Sequence, residues 1–124
     1  MSARILVVDD NKANLDLMLF LLKAFGHEPY GVADGAACLE AARESDFDLV
    51  LIDILMPGID GYELVRLLRR DSRLASTPLV AVTALVMPTE RQRIERAGFD
   101  GYIAKPIEPE RFARQIETYL KRAS

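Results

Sequence analysis

The chain has no tryptophan, one histidine and one cysteine among its 124 residues. A lone thiol, Cys38, can form neither an internal disulfide nor a paired-cysteine metal site. It lies in the alanine-rich stretch AACLEAA, which reads as helix, so it is expected to be a small core residue. Long apolar runs are also missing. The start, MSARILVV, has no signal-peptide core, and no run approaches the length of a membrane span. The expectation is a cytoplasmic protein with no membrane partner. There is no excess of basic charge, the formal net charge being -3, and nucleic acid is not expected as a partner. No repeat, low-complexity segment or linker breaks the chain. Half of it is hydrophobic and 28% is charged, a globular composition, expected to form one domain over 1–124.

What is present is a strict alternation. Short apolar runs stand at ILVV (Ile5 to Val8), EPYGVA (Glu28 to Ala33), LVLI (Leu49 to Ile52), LVAV (Leu79 to Val82) and GYIA (Gly101 to Ala104). Runs this short and continuous suit strands covered on both faces. Helical patterns separate them. Asn11 to Phe25 stops at Gly26, and Ala36 to Glu44 is rich in helix formers. Asp60 and Glu63 have capping-box spacing, as do Thr89 and Gln92 before a helix that stops at Gly98. Pro109 falls in the first turn of the last helix. Five β-α units imply a parallel sheet with helices on both faces, in one of a few doubly wound orders. Sites in such sheets form at the carboxyl ends of the strands.

At those ends stand Asp9 and Asp10, then Asp53, then Thr83 and Ala84, then Lys105 and Pro106. Each residue alone has a bland reading: a helix cap, a turn hydroxyl, a surface lysine. Their convergence on one edge is harder to dismiss. Two carboxylates about 5 Å apart repel by about 3 kcal/mol at an effective dielectric of about 20. A third makes this worse, and one lysine cannot neutralise three. A hard divalent cation can, and Mg²⁺ favours one or two carboxylates together with water and phosphate oxygens. The edge therefore reads as a Mg²⁺ site prepared for a phosphoryl group; if Asp53 attacks phosphorus, an aspartyl-phosphate is the covalent form that such a carboxylate nucleophile gives.

The motifs VVDDN, LIDILMPGIDGYE, AVTAL and GYIAKPI, in this order and spacing, resemble those of response regulator receiver domains over essentially the full length. Within that family the chain is similar to small stand-alone receivers of the DivK type and to receivers attached to hybrid histidine kinases. The resemblance implies a flavodoxin-like (βα)5 fold with strand order 2-1-3-4-5 and no output domain. It implies a signalling switch, not an enzyme: Asp53 accepts a phosphoryl group from a histidine kinase or phosphotransfer protein, and a downstream protein reads the changed surface. Asp9, Asp10, Asp53 and the Leu55 carbonyl would hold Mg²⁺, or Mn²⁺ in its place. Thr83, Ala84, Leu55 and Lys105 would contact the phosphoryl group, Thr83 and Tyr102 would switch, and the Lys105–Pro106 bond would be cis. A monomer or weak dimer is expected. The family's two lifetime-tuning positions fall on Leu55 and Leu85, whose apolar side chains cannot orient water, so slow self-dephosphorylation is expected.

Two other readings compete. A haloacid-dehalogenase-like phosphatase would place its nucleophile after the first strand in a D-x-D pattern, where this chain has Asp9-Asp10. A flavodoxin-like nucleotide binder would need a glycine- or serine-rich phosphate cradle, and two acids after the first strand would repel the phosphate. The first helix is apolar on more than one face, which fits either deep embedding or a docking surface; the resemblance favours docking. His27, in GHEP, reads as an exposed loop residue. Arg91, Arg93 and Arg96 interleave with Glu90 and Glu95 as a solvated face, with Leu85, Val86 and Met87 nearby as a second candidate contact surface.

Overall fold

The structure is a computed structural model that describes residues 2–123. Its five strands are β1 (Arg4–Val8), β2 (Glu28–Val32), β3 (Leu49–Asp53), β4 (Leu79–Thr83) and β5 (Gly101–Ala104). All neighbouring pairs are parallel and the order is β2-β1-β3-β4-β5. The helices are α1 (Lys12–Ala24), α2 (Gly35–Glu44), α3 (Gly61–Arg69), α4 (Pro88–Ala97) and α5 (Pro109–Ala123), with one 3₁₀ turn at Ser72–Leu74. This is the doubly wound, flavodoxin-like (βα)5 architecture.

Strand side chains alternate between two cores, because successive residues of a strand point to opposite faces. Leu6, Val8, Val50, Ile52, Leu79 and Ala81 join the core under α2, α3 and α4. Ile5, Val7, Leu49, Leu51, Val80 and Val82 join the core under α1 and α5, with Met18, Leu22, Phe112 and Ile116. Both faces being covered explains why these strands lack polar alternation. Cys38 is fully buried in the first of these cores, and burial pushes its thiol up to about 12, so it is an inert packing residue.

Most helix starts follow their caps. The side chains of Asn11, Asp34 and Asp60 accept hydrogen bonds from the backbone N–H of Asn14, Ala37 and Glu63. Gly26 takes the left-handed φ of +91° just past α1, a conformation that glycine adopts without a Cβ clash. The start of α4 differs from the sequence expectation. Met87 is the N-cap, with no side-chain cap, and Pro88 opens the helix. Proline is preorganised for that position, so Thr89 lies inside the first turn.

His27 corrects another expectation. It is buried, with 4% exposure, because the sequence-distant helix α5 covers it. Its Nδ1 accepts from the Ala3 N–H at 3.1 Å, and its Nε2 lies 3.4 Å from Glu117 Oε1 on α5. The α1 question is also decided. Met18, Leu21 and Leu22 are buried, while Leu17 and Phe20 are exposed, Phe20 at 69%. The helix is therefore not embedded on all sides.

Candidate functional site

The carboxyl ends of β1, β3, β4 and β5 meet at one edge. The register pairs Val8 with Ile52, Asp53 with Val82, and Thr83 with Ala104. Asp9 and Asp10 therefore follow β1 directly, Asp53 and Thr83 close their own strands, and Lys105 follows β5. Asp9, Asp53 and Thr83 are buried and Asp10 is exposed.

Local turns fix each group. The Asp9 carboxylate accepts from the Asn11 N–H through Oδ1 at 2.8 Å, which turns the chain into α1. The loop after Asp53 closes where Gly61 N–H donates to the Ile54 carbonyl at 2.9 Å. A Cβ on Gly61 would stand 2.6 Å from Ile54 Cα and 2.7 Å from the Asp53 carbonyl oxygen. Only glycine lets α3 begin this close to Asp53. This residue lay in the quoted GYE motif, but sequence spacing carried no sign of the close approach. The Lys105–Pro106 peptide is cis, and Lys105 N–H donates to the Thr83 carbonyl at 2.9 Å.

The charges converge. Asp9, Asp10 and Asp53 each offer an oxygen, all within 4.8 Å of one another. Lys105 Nζ reaches Asp53 Oδ1 at 3.3 Å and Asp9 Oδ2 at 3.4 Å. The contact with Asp53 is a hydrogen bond; Asp9 Oδ2 is buried with no hydrogen-bond partner. Burial pushes the Asp53 carboxyl up to about 6, the Asp9 charge adds to this, and the Lys105 ammonium opposes it. One ammonium thus leaves the trio undercompensated. A buried oxygen without a donor, beside two further carboxylates, is the donor set of a hard cation and fits Mg²⁺.

The remaining sequence candidates are arranged around this centre. Thr83 Oγ1 accepts from the Leu85 N–H at 3.0 Å, and Ala84 between them is exposed. Leu55 is 63% exposed, two residues beyond Asp53. Tyr102 is half-buried and packs on the core beneath α2, α3 and α4. Its carbonyl accepts from the Tyr119 hydroxyl at 3.3 Å. Leu85, Val86 and Met87 are exposed. His27 stands apart from the carboxylates, between the α1–β2 turn and α5.

An acidic trio and a lysine at the carboxyl edge of a 2-1-3-4-5 sheet define a class of phosphoryl-accepting signalling domains. Residues 5–117 match the family model of the response regulator receiver domain, and the chain belongs to that family. It is 38% identical over 120 residues to the polar-differentiation response regulator DivK of Brucella ovis, covering 97% of this chain and 98% of that one. Among solved structures, it is similar to the chemotaxis response regulator CheY4 of Vibrio cholerae (TM-score 0.92, 28% identity, covering 96% of this chain and 99% of that one). It is also similar to the receiver domain of the sensor histidine kinase PA1611 from Pseudomonas aeruginosa PAO1 (TM-score 0.89, 28% identity, covering 98% and 99%), which was solved with a magnesium ion in its active-site cleft. The chain is thus a receiver of two-component signalling, a family of signalling domains that bind Mg²⁺ at this acidic cluster. No described helix is long and apolar enough to cross a membrane.

Proposed function

We propose that this chain is a cytoplasmic phosphorylation switch that accepts a phosphoryl group on Asp53 from a histidine kinase or histidine phosphotransfer protein. The carrying observation is the Asp53 carboxyl group held beside two other carboxylates with Lys105 Nζ at 3.3 Å. A Asp53 carboxylate oxygen forms a bond to phosphorus as the P–N bond to the donor imidazole breaks, and the imidazole leaves with the electron pair. Asp9, Asp10, Asp53 and the Leu55 carbonyl would hold Mg²⁺. When bound, the ion neutralises charge on the phosphoryl oxygens. Lys105 pairs with one phosphoryl oxygen, and the Thr83 hydroxyl and the N–H of Ala84 donate to another.

The consequence is a shift between two surfaces. Thr83 Oγ1 now accepts from the Leu85 N–H. Moving to the phosphoryl group, it gives up that acceptor role and frees the exposed Leu85–Val86–Met87 segment to rearrange. Tyr102, half-buried beside it, follows inward, and a downstream protein reads the result. The exposed α1 residues Leu17 and Phe20 suit the docking of a kinase or phosphotransfer helix near Asp10.

The test is intact-mass analysis after incubation with a small phosphoramidate donor. The expected result is a gain of one phosphoryl group that is lost with EDTA and in Asp53→Asn. Folded protein that gains nothing from a donor active on another receiver would overturn the reading. In the same assay with a histidine donor protein, Phe20→Ala is expected to slow transfer by about tenfold while leaving the small-donor rate unchanged. Equal slowing of both would remove the docking role from α1.

A further inference from the structure

Helices α3 and α4 contain no lysine, yet they and the residue after α3 carry Arg66, Arg69, Arg70, Arg91, Arg93 and Arg96. One of these is structural: Arg69 donates to the carbonyls of Gly98, Leu74 and Thr77 and to Asp100. Four others form a line. Tyr62, Arg66 and Arg70 recur every fourth residue, so they share one side of α3. That side faces α4, because the Arg93 guanidinium lies 4.1 Å from the Tyr62 ring centroid and the Tyr62 hydroxyl donates to Glu90 at 3.1 Å. Arg96 is one turn beyond Arg93, at the level where Arg69 meets Gly98. Arg91 and Glu95 fall on the other flank of α4.

Arg66, Arg70, Arg93 and Arg96 are all exposed. Among the described residues, none has a carboxylate within the 4.0 Å of an ion pair, whereas Lys12, Arg69, Arg73, Lys105 and Arg111 do. Four of the sixteen basic residues of a chain with net charge -3 are thus left uncompensated along one seam. Unpaired guanidinium groups in a row attract anions, and the planar fork of arginine matches a carboxylate bidentately, as an ammonium does not.

We propose that this α3–α4 seam is a binding surface for an acidic segment of a partner protein, distinct from the phosphorylation edge, α1 and the Leu85–Met87 segment. The two helices offer charges from both sides, so an acidic helix or extended segment lying between them meets all four. Protein is favoured over nucleic acid by the overall charge. A long polyanion along α3 runs toward Asp53, Asp9 and Asp10 at one end and meets a net negative molecule elsewhere. A short carboxylate segment avoids both.

The experiment uses the whole chain and two fluorescein-labelled probes, a poly-glutamate 15-mer and a 15-base-pair duplex, followed by anisotropy across a NaCl series. Arg66→Ser/Arg70→Ser/Arg96→Ser removes three exposed charges and leaves Arg93 on its ring. Lys23→Ser/Arg91→Ser/Arg114→Ser removes three charges elsewhere. The expected result is salt-sensitive binding of poly-glutamate, weakened at least tenfold by the seam variant and less than twofold by the control. No binding, equal loss in both variants, or tighter binding of the duplex than of poly-glutamate would each overturn the proposal.

Discussion

Asp53 is the residue on which the charges of the sheet edge converge. Its carboxyl is pushed up to about 6 by burial and by Asp9, so the folded state holds that proton more tightly than the unfolded chain does. Stability must therefore fall as pH rises from about 4 through 6, and the penalty stays in place above 6. In metal-free buffer, Asp53→Asn is expected to stabilise the protein at pH 7 by about 1–2 kcal/mol, a figure reduced for residual solvent screening. The gain shrinks toward zero near pH 4. Urea unfolding of both proteins across this range checks it. Leu55 and Leu85 belong to the same scale. Replacing either with a polar residue that can orient water is expected to accelerate loss of the phosphoryl group several-fold, read by mass after donor removal. Unchanged or slower decay in both variants would reject the idea that hydrolysis is slow because these leucines cannot orient water.

Elements meet through a few backbone approaches that tolerate little change. Gly61 lets α3 start against the end of β3. Gly61→Ala is expected to cost about 1–3 kcal/mol, since its Cβ would meet backbone and not a movable side chain. Because the displaced atoms belong to Asp53 and Ile54, the phosphorylation rate should fall along with the unfolding midpoint. Arg69 ties the end of α3 to the Gly98 turn and to the loop before β4. Arg69→Ala leaves three carbonyls without this donor and removes the ion pair of Asp100, whose Oδ2 keeps only the Leu79 N–H. A loss of about 2–3 kcal/mol is expected, measured by denaturant unfolding. Neither element contact had a sequence signal beyond residue type. By contrast, Asn11, Asp34 and Asp60 cap their helices locally, and such caps are legible because donor and acceptor lie three residues apart.

At the scale of the whole molecule, a cation held by Asp9, Asp10 and Asp53 would stabilise the fold, since the folded sheet alone assembles the trio of carboxylates. Millimolar Mg²⁺ is expected to raise the melting temperature of the intact protein, and Asp10→Asn to remove most of that rise. Calorimetry with and without EDTA reads both. The sequence by itself determined the alternation of strands and helices, the five strand positions and the acidic, hydroxyl and ammonium groups at their ends. These follow from local hydrophobic runs and from a rule about strand termini, so no distant contact was needed to read them. Only the tertiary structure decided that Asp9 Oδ2 is buried without a hydrogen bond, that His27 is covered by α5, and that α1 keeps Phe20 in solvent. It also decided that arginines scattered over two helices form one seam. Burial and charge neighbourhood depend on which sequence-distant helix packs where, and no local pattern encodes that.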